Sequence, residues 1–295
     1  MDRSSFFIKD KAMFGSYPSE EGVRELEEAG VTYFIDLTYP NEKGVKKYTT
    51  KHSYLNYPIM DMRCPTDWKG FSKLIITISN IIKNLTNNEK IYIHCKGGHG
   101  RSGVVVASLL CYLYKMKPSD AITNTTKFHN KRKIMREKWR KMGSPQTRSQ
   151  KHFVAKFFEP LYIYDNVTNY FSSQFSNEAP LEVSIPDVGV FPTAKLALEW
   201  IKERMDEDCI KKLKIKNTNN EVGWEELKIR IMYLILQYKF SQHKKIKQYL
   251  INTGLRPIIF QNNDIFWGKI DNKGQNIFGK LLYKLRTYYY ENLPT

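Results

Sequence analysis

Cys95 and Arg101 bracket a loop whose residue types suit the capture and attack of a phosphate. The run Ile91-Tyr92-Ile93-His94-Cys95-Lys96-Gly97-Gly98-His99-Gly100-Arg101-Ser102-Gly103 carries an apolar, β-prone segment into a glycine-rich turn. A helix-forming stretch, Val104 to Tyr114, follows at once. Glycines let the backbone turn successive N–H groups inward as a nest for an anion, and the following helix adds its positive N-terminal end. Arg101 offers a planar fork of donors matched to phosphate oxygens. A thiol in such a field is held toward the thiolate, the form that acts as a nucleophile. Ser102 can hydrogen-bond the sulfur when it leaves as thiolate. A cysteine beside a glycine turn is ordinarily a small buried residue. Here strand, spacing and helix agree on a site that binds a phosphate and attacks it.

This Cys-x5-Arg-Ser segment resembles the cysteine-dependent protein phosphatases, most closely their dual-specificity branch. The resemblance implies that Lys96, Gly97, Gly98, His99, Gly100 and Arg101 form the phosphate cradle and that Cys95 is the nucleophile. Phosphoryl transfer also needs a proton donor for the leaving oxygen. Asp61, in Tyr57-Pro58-Ile59-Met60-Asp61-Met62-Arg63-Cys64-Pro65, matches the acid loop of that branch; Asp67 is the runner-up, better placed as a helix cap. Downstream, Ser144-Pro145-Gln146-Thr147-Arg148-Ser149-Gln150 resembles the segment whose glutamine positions the hydrolytic water. That likeness implies the role for Gln146, with Gln150 nearby; Ser144-Pro145 reads equally as a helix start. His94 is expected to orient the loop. The implied cycle is two in-line displacements through a phosphocysteine, with no metal or cofactor. Since no separate aromatic loop deepens the pocket, it is expected to be shallow and open to phosphoserine, phosphothreonine or RNA 5′ phosphates.

The elements that must position these groups alternate between β and α. Ser19 caps a helix from Glu20 to Ala29, stopped by Gly30; Val31 to Leu37 and Tyr54 to Ile59 read as strands. Thr66 or Asp67 starts a helix with Phe71, Leu74, Ile75, Ile78, Ile81 and Ile82 at helical spacing. The strand into Cys95 and at least three helices complete an α/β domain, a central sheet flanked by helices, with the loop at the C-terminal edge of the sheet.

At 295 residues the chain is long for one domain, and a polar stretch from Asp165 to Asn177 divides it into 1–165 and 166–295. The formal net charge is +17, much of it between Lys127 and Arg148, where nine basic residues oppose Glu137 alone. Such a balance favours polyanionic partners, phosphoprotein or phosphate-bearing RNA, and is equally that of a solvated basic helix face. No apolar stretch approaches the roughly 20 residues of a membrane span, and Met1 to Lys11 carries no secretion signal. Cys64, Cys95, Cys111 and Cys209 show neither metal-ligand nor disulfide spacing, which fits a reducing interior, cytoplasm or nucleus. Cys64 is either a packed loop thiol or a reversible disulfide partner of Cys95.

The second half reads as mostly helical: Trp224 to Tyr238, Gln242 to Asn252 and Gly279 to Tyr290. It resembles the NADAR family, which acts on ADP-ribose-linked N-glycosides. The motifs in order are Phe175-Ser176-Asn177, Phe191-Pro192-Thr193, Lys239-Phe240-Ser241-Gln242, Leu250-Ile251-Asn252-Thr253-Gly254, Phe266-Trp267-Gly268 and Gly274-x-Asn276-x-x-Gly279. A mainly α-helical α+β fold is implied, with Ser176, Asn177, Lys202, Lys239, Trp267, Gly268 and Asn276 as ADP-ribose site candidates. Where the family presents a glutamate, this chain has Lys195, with Glu199 and Lys202 on the same helical face. Lys202 and Lys239 are open to a lysine–ribose Schiff base or to a solvated basic face. The sequence therefore points to a phosphatase fused to an N-glycosidase acting on ADP-ribosylated nucleic acid or nucleotide. The alternative is an RNA 5′-phosphatase whose second domain only binds.

Overall fold

The computed structural model describes residues 2–165, 173–204, 209, 212–213 and 223–293. The chain forms two compact units, Met1–Glu159 and Pro160–Thr295. The division falls earlier than position 165 because Leu161–Tyr164 pairs within the second unit. Part of the polar boundary stretch, 166–172, lies outside the described residues.

The first unit holds a five-stranded sheet in the order β1-β2-β5-β3-β4. β1 (Ser4–Ile8) and β2 (Ala12–Ser16) form an antiparallel hairpin that the sequence reading did not anticipate. β3 (Val31–Asp36), β4 (Ser53–Asn56) and β5 (Lys90–Cys95) join β2 in parallel. Register sets Ser16 opposite Cys95, and Asp36 opposite both His94 and Asn56. The catalytic-type residues thus gather where the parallel strands end, the usual ligand edge of an α/β sheet. β5 lies at the centre of the sheet and is buried from Ile91 to Cys95, which explains its unbroken apolar run.

α1 (Glu20–Glu28) begins at Ser19, whose hydroxyl accepts from the Gly22 amide at 3.2 Å. It packs Val23 and Leu26 on the sheet face that carries Met13, Phe34 and Tyr92. α2 (Trp68–Asn84) and α3 (Arg101–Tyr114) pack against β5. α2 starts after Asp67, which makes no side-chain cap bond. α3 is buried from Arg101 through Tyr112, so this helix is held by packing on all sides rather than by an amphipathic stripe. α4 (Pro118–His129), α5 (Glu137–Met142) and α6 (Arg148–Phe157) complete the unit. Phe71 of α2 meets Phe153 and Phe157 of α6 edge-on, with ring centroids 5.4 and 5.1 Å apart.

In the second unit β6 (Leu161–Tyr164) runs parallel to β9 (Ile258–Gln261), and β7 (Val183–Ile185) pairs antiparallel with β8 (Gly189–Phe191). Helices α7 (Ala194–Glu203), α8 (Trp224–Gln242), α9 (Lys244–Asn252) and α10 (Ile277–Glu291) accompany them. Leu227, Ile231 and Ile235 of α8 share one core with Val183, Ile185, Phe191, Ala197 and Ile201. No helix among the described residues is long and apolar enough to cross a membrane.

Because Phe71 is fully buried, Phe71→Ala is expected to lower unfolding stability by about 3–5 kcal/mol, measured by urea titration.

Candidate active site

The Cys95–Arg101 loop leaves the end of β5 and enters α3 directly, Gly100 being the residue before the helix. Gly98 adopts φ +73°, and a Cβ there would collide with the Gly15 carbonyl carbon. A larger residue would push the loop off β2. The amides of Gly97, Gly98, His99 and Gly100 donate to no acceptor among the described residues, which leaves four N–H groups for an anion. Cys95 is buried, and its Sγ lies 3.6 Å from the Ser102 hydroxyl. The loop is held from outside: Ser144 Oγ donates to the His99 carbonyl at 2.6 Å, and the Tyr17 amide donates to the Lys96 carbonyl at 3.1 Å.

Arg101 is fully buried, and four of its five N–H donors are taken. Nη1 donates to Glu42 Oε2 at 2.7 Å and to the Ile59 carbonyl at 2.9 Å. Nη2 donates to Glu42 Oε1 at 2.8 Å and reaches Asp61 Oδ1 at 2.9 Å. Nε is buried and has no partner among the described residues, so one edge of the fork remains for a ligand oxygen. Burial opposes the charge on Arg101, yet the Glu42 hydrogen bonds and the nearby acids outweigh it and raise its pKa. The same hydrogen bonds hold the Glu42 carboxyl below its ordinary value. Glu42 escaped the sequence reading: it is a lone acid in a polar loop, and only the fold brings it across 59 positions.

Asp61 is exposed, with Oδ1 also accepting from the Met62 amide at 3.0 Å. Arg101 and Glu42 are largely shielded from water, so Asp61 is the solvent-facing acid of the cluster. Of the two glutamines, Gln150 is the one that reaches the loop. It is buried, its amide would touch a Cβ on Gly100, and its Nε2 donates to the Arg63 carbonyl at 3.2 Å. Gln146 is half-buried outside α6. The physical reason is the capping box: Thr147 caps α6, Gln150 Oε1 accepts from the Thr147 amide, and that pairing turns Gln150 inward. Cys64 is a free, half-buried thiol pushed up by burial, with a hydrogen bond to Ser149.

Beneath the loop, His94 is fully buried, with Nε2 2.7 Å from the Tyr48 hydroxyl and Nδ1 3.7 Å from Asp36. Burial drives its pKa down to about 4, against the pull of Asp36, so it is neutral at pH 7. It props the strand end and is not charged for proton transfer. Lys96 is exposed and ties back through Nζ to the Lys43 carbonyl at 2.7 Å, linking the loop to the segment that carries Glu42. His99 shares a 2.8 Å hydrogen bond with His129.

In the second unit the structure gathers Ser176, Asn177 and Lys239 but not Lys202. Lys239 is fully buried and donates from Nζ to the Ser176 carbonyl at 2.5 Å. Burial lowers its pKa to about 7. Ser176 Oγ and Asn262 Nδ2 both donate to Asp165, and Asn177 Oδ1 is buried without a partner among the described residues. Asp165, which polarity alone had set in the first domain, therefore belongs to this cluster. Lys195 pairs with Glu178 at 2.7 Å. Lys202 is exposed, 5.9 Å above the Trp224 ring, away from those contacts. Asn276 is structural: its side chain accepts from the Phe260 amide at 2.9 Å and donates to the Ile258 carbonyl at 2.8 Å, fixing β9 to α10. Gly268 accepts from the Asn276 amide at 2.9 Å, and the Trp267 amide donates to Asp264 at 3.1 Å.

Comparison with known proteins gives two family matches: residues 1–154 to the "Swiss Army Knife protein, DSP-PTPase phosphatase domain" and residues 188–288 to the NADAR domain. Protein 197R of Invertebrate iridescent virus 6, which carries a tyrosine-phosphatase name, is 35% identical over 286 residues, covering 96% of this chain and 90% of that one. The N-glycosidase YbiA of Shigella flexneri serotype 5b is 28% identical over 142 residues, 41% of this chain and 88% of that protein. Among solved structures, Tk-PTP in its active form is 20% identical with a TM-score of 0.40, covering 51% of this chain and 92% of that one.

Three outcomes test the geometry of the two units. Glu42→Gln is expected to weaken tungstate binding about tenfold by calorimetry, the loss of one charge-assisted hydrogen bond of roughly 1.5 kcal/mol. Because the Glu42 carboxyl is held below its ordinary 4.5, the stability it lends is complete above that value and is lost as pH falls through its lower folded value. The difference in urea midpoint between wild type and Glu42→Gln should accordingly vanish at acid pH. Lys239→Met should stabilise the fold most below about pH 7, with the gain shrinking as pH rises toward 10.5, because only the charged amine suffers burial.

Proposed function

The chain belongs to the dual-specificity protein tyrosine phosphatases of the Swiss Army Knife type and carries a NADAR domain behind the phosphatase domain, and on that premise we propose a phosphocysteine mechanism at Cys95. The observation that carries it is the convergence of a buried cysteine, four unclaimed amides and one free edge of Arg101 on a single loop. The substrate phosphate lies in the nest, three oxygens held by the amides and by Arg101 Nε. Asp61 releases Nη2 and turns to the leaving oxygen. Cys95 Sγ forms a bond to phosphorus as the P–O bond breaks, and Asp61 gives its proton to the departing alkoxide or phenoxide. Ser102 stabilises the sulfur when it departs again. In the second displacement Asp61 accepts a proton from water, and Gln150, rather than Gln146, positions that water against the loop. The equatorial oxygens keep the same donors throughout, so the site needs no reorganisation between steps. Phosphorylated proteins are substrates of this chemistry, and phosphate-bearing RNA fits the strong positive charge.

For the second unit, we propose action on N-glycosidic ADP-ribose linkages, supported by the likeness to YbiA and by Lys239. Its buried amine is neutral for much of the time near pH 7, the form that attacks a ribose carbonyl carbon. Lys195, where the family has a glutamate, favours a second reading in which this unit binds ADP-ribosylated nucleic acid or nucleotide without cleaving it.

Cys95→Ser should abolish phosphate release from phosphopeptides. Asp61→Asn should slow it about a hundredfold to a thousandfold for alkyl phosphates and much less for aryl phosphates with good leaving groups. Gln150→Ala, but not Gln146→Ala, should let phosphoenzyme accumulate in rapid-quench mass spectra. Retention of full activity by Cys95→Ser would refute the mechanism. Incubation with ADP-ribosylated guanosine tests the second unit: release of free guanosine supports cleavage, and binding without release supports the second reading.

A further inference from the structure

Beside the phosphate loop lies a pocket of about 310 Å³ that the mechanism above leaves unused. Lys96 and His99 of the loop form one wall; Arg132, Arg136, Trp139 and Arg3 form the others, and among the described residues no carboxylate lines it. Arg132 is the unusual member. It is only 3% exposed, yet among the described residues its guanidinium has no acid partner. Nη2 donates to the Phe14 carbonyl at 3.2 Å, the cation lies 4.5 Å over the Phe14 ring, and Nε is buried without a partner. Burial pushes its pKa down to about 10, the direction in which a buried cation without an acid moves.

The fold holds this uncompensated cation in place. Arg140 donates from Nη1 to the Asn130 carbonyl at 2.5 Å and from Nη2 to the Arg132 carbonyl at 3.2 Å, clamping the turn that carries it. A buried guanidinium without an acid is costly unless an anion completes it. The basic run from Lys127 to Arg148 is therefore not one solvated helix face: Arg132 and Arg140 are built into the unit, while Arg136 is exposed at the pocket mouth. The aromatic wall has its own logic. Burial, reinforced by Arg132, lowers the pKa of His99 to about 4 and that of His129 to about 3. The His99 ring is thus neutral and stacks on Trp139 at 4.9 Å and 19°. A flat aromatic surface stands beside three guanidinium groups.

We propose that this pocket is a second phosphate subsite, and that the substrate is a nucleoside 5′-polyphosphate end, free or on RNA. The terminal phosphoryl enters the Cys95 loop, the next phosphates meet Arg132 and Arg136, and the base reaches the Trp139 wall. The inference rests on the phosphatase reading and narrows its substrate. Because Lys96 and His99 serve both loop and pocket, the second anion adjoins the first, as phosphates joined by one bridging oxygen do. Cys95 Sγ bonds to the terminal phosphorus, the phosphoanhydride P–O bond breaks, and the nucleoside diphosphate end departs with the proton from Asp61. Water then cleaves the S–P bond, giving orthophosphate and the free thiolate.

The test compares kcat/KM of the full chain at fixed ionic strength on p-nitrophenyl phosphate, triphosphate-ended RNA, a nucleoside triphosphate and a doubly phosphorylated peptide. Arg136→Ala, at an exposed position, should cut the polyphosphate values about tenfold and leave p-nitrophenyl phosphate within about twofold. Arg132→Lys should do the same to a greater degree, with circular dichroism confirming the fold; the ratio of RNA to free nucleotide identifies the source. Equal losses on all substrates, no loss on polyphosphates, or faster turnover of the doubly phosphorylated peptide would each overturn the subsite. If wild type leaves p-nitrophenyl phosphate untouched, the phosphatase reading itself fails.

Discussion

The first unit depends on keeping one guanidinium charged, buried and correctly turned. Arg101 is fully shielded from water, where an isolated cation is unfavourable, and Glu42 offsets that cost by meeting both terminal nitrogens. The Ile59 carbonyl takes a further donor. Three segments distant in sequence therefore meet at one side chain: the loop after β3, the acid loop after β4, and the β5–α3 turn. A lysine could not do this, since its single nitrogen lacks separate edges for Glu42 and for a phosphate.

That arrangement explains why the rest of the loop is so tightly tethered. Once Arg101 fixes one side of an anion, the amides must fix the other to within about 0.5 Å. Gly98 wedged on Gly15, Ser144 on the His99 carbonyl and Gln150 against Gly100 supply that rigidity. His94 stays neutral under the strand end, and the aromatic rings of Tyr17, Tyr48 and Tyr92 around it keep it so. Asp61, by contrast, faces solvent, with its carboxylate against Arg101 and the Met62 amide.

What could be read from sequence followed from how local each signal is. Cys95, Arg101 and the strand-loop-helix around them lie within one short run, so spacing and propensity identify them together. Asp61 lies in an equally local pattern, and the fold sets its carboxylate 2.9 Å from Arg101. Glu42 carries no such pattern, because its role exists only once β3 and β5 are neighbours. Gln146 and Gln150 share one motif, and only the inward turn of the capping box distinguishes them. The β1–β2 hairpin was missed because Asp2 to Ser16 mixes charged and apolar residues without a clean period. In the second unit the order of short motifs identified the domain, but not which members cluster: Lys239 lies in the core beside Ser176, whereas Lys202, on the same motif list, faces solvent.

The central claim is that Arg101 divides its donors between Glu42 and the substrate. A crystal structure with tungstate bound tests it most directly. The expected result is an oxyanion on the Gly97–Gly100 amides and on Arg101 Nε, with Glu42 still paired to both terminal nitrogens and Asp61 turned away. An oxyanion that displaced Glu42 from Arg101, or that settled outside the loop, would contradict it.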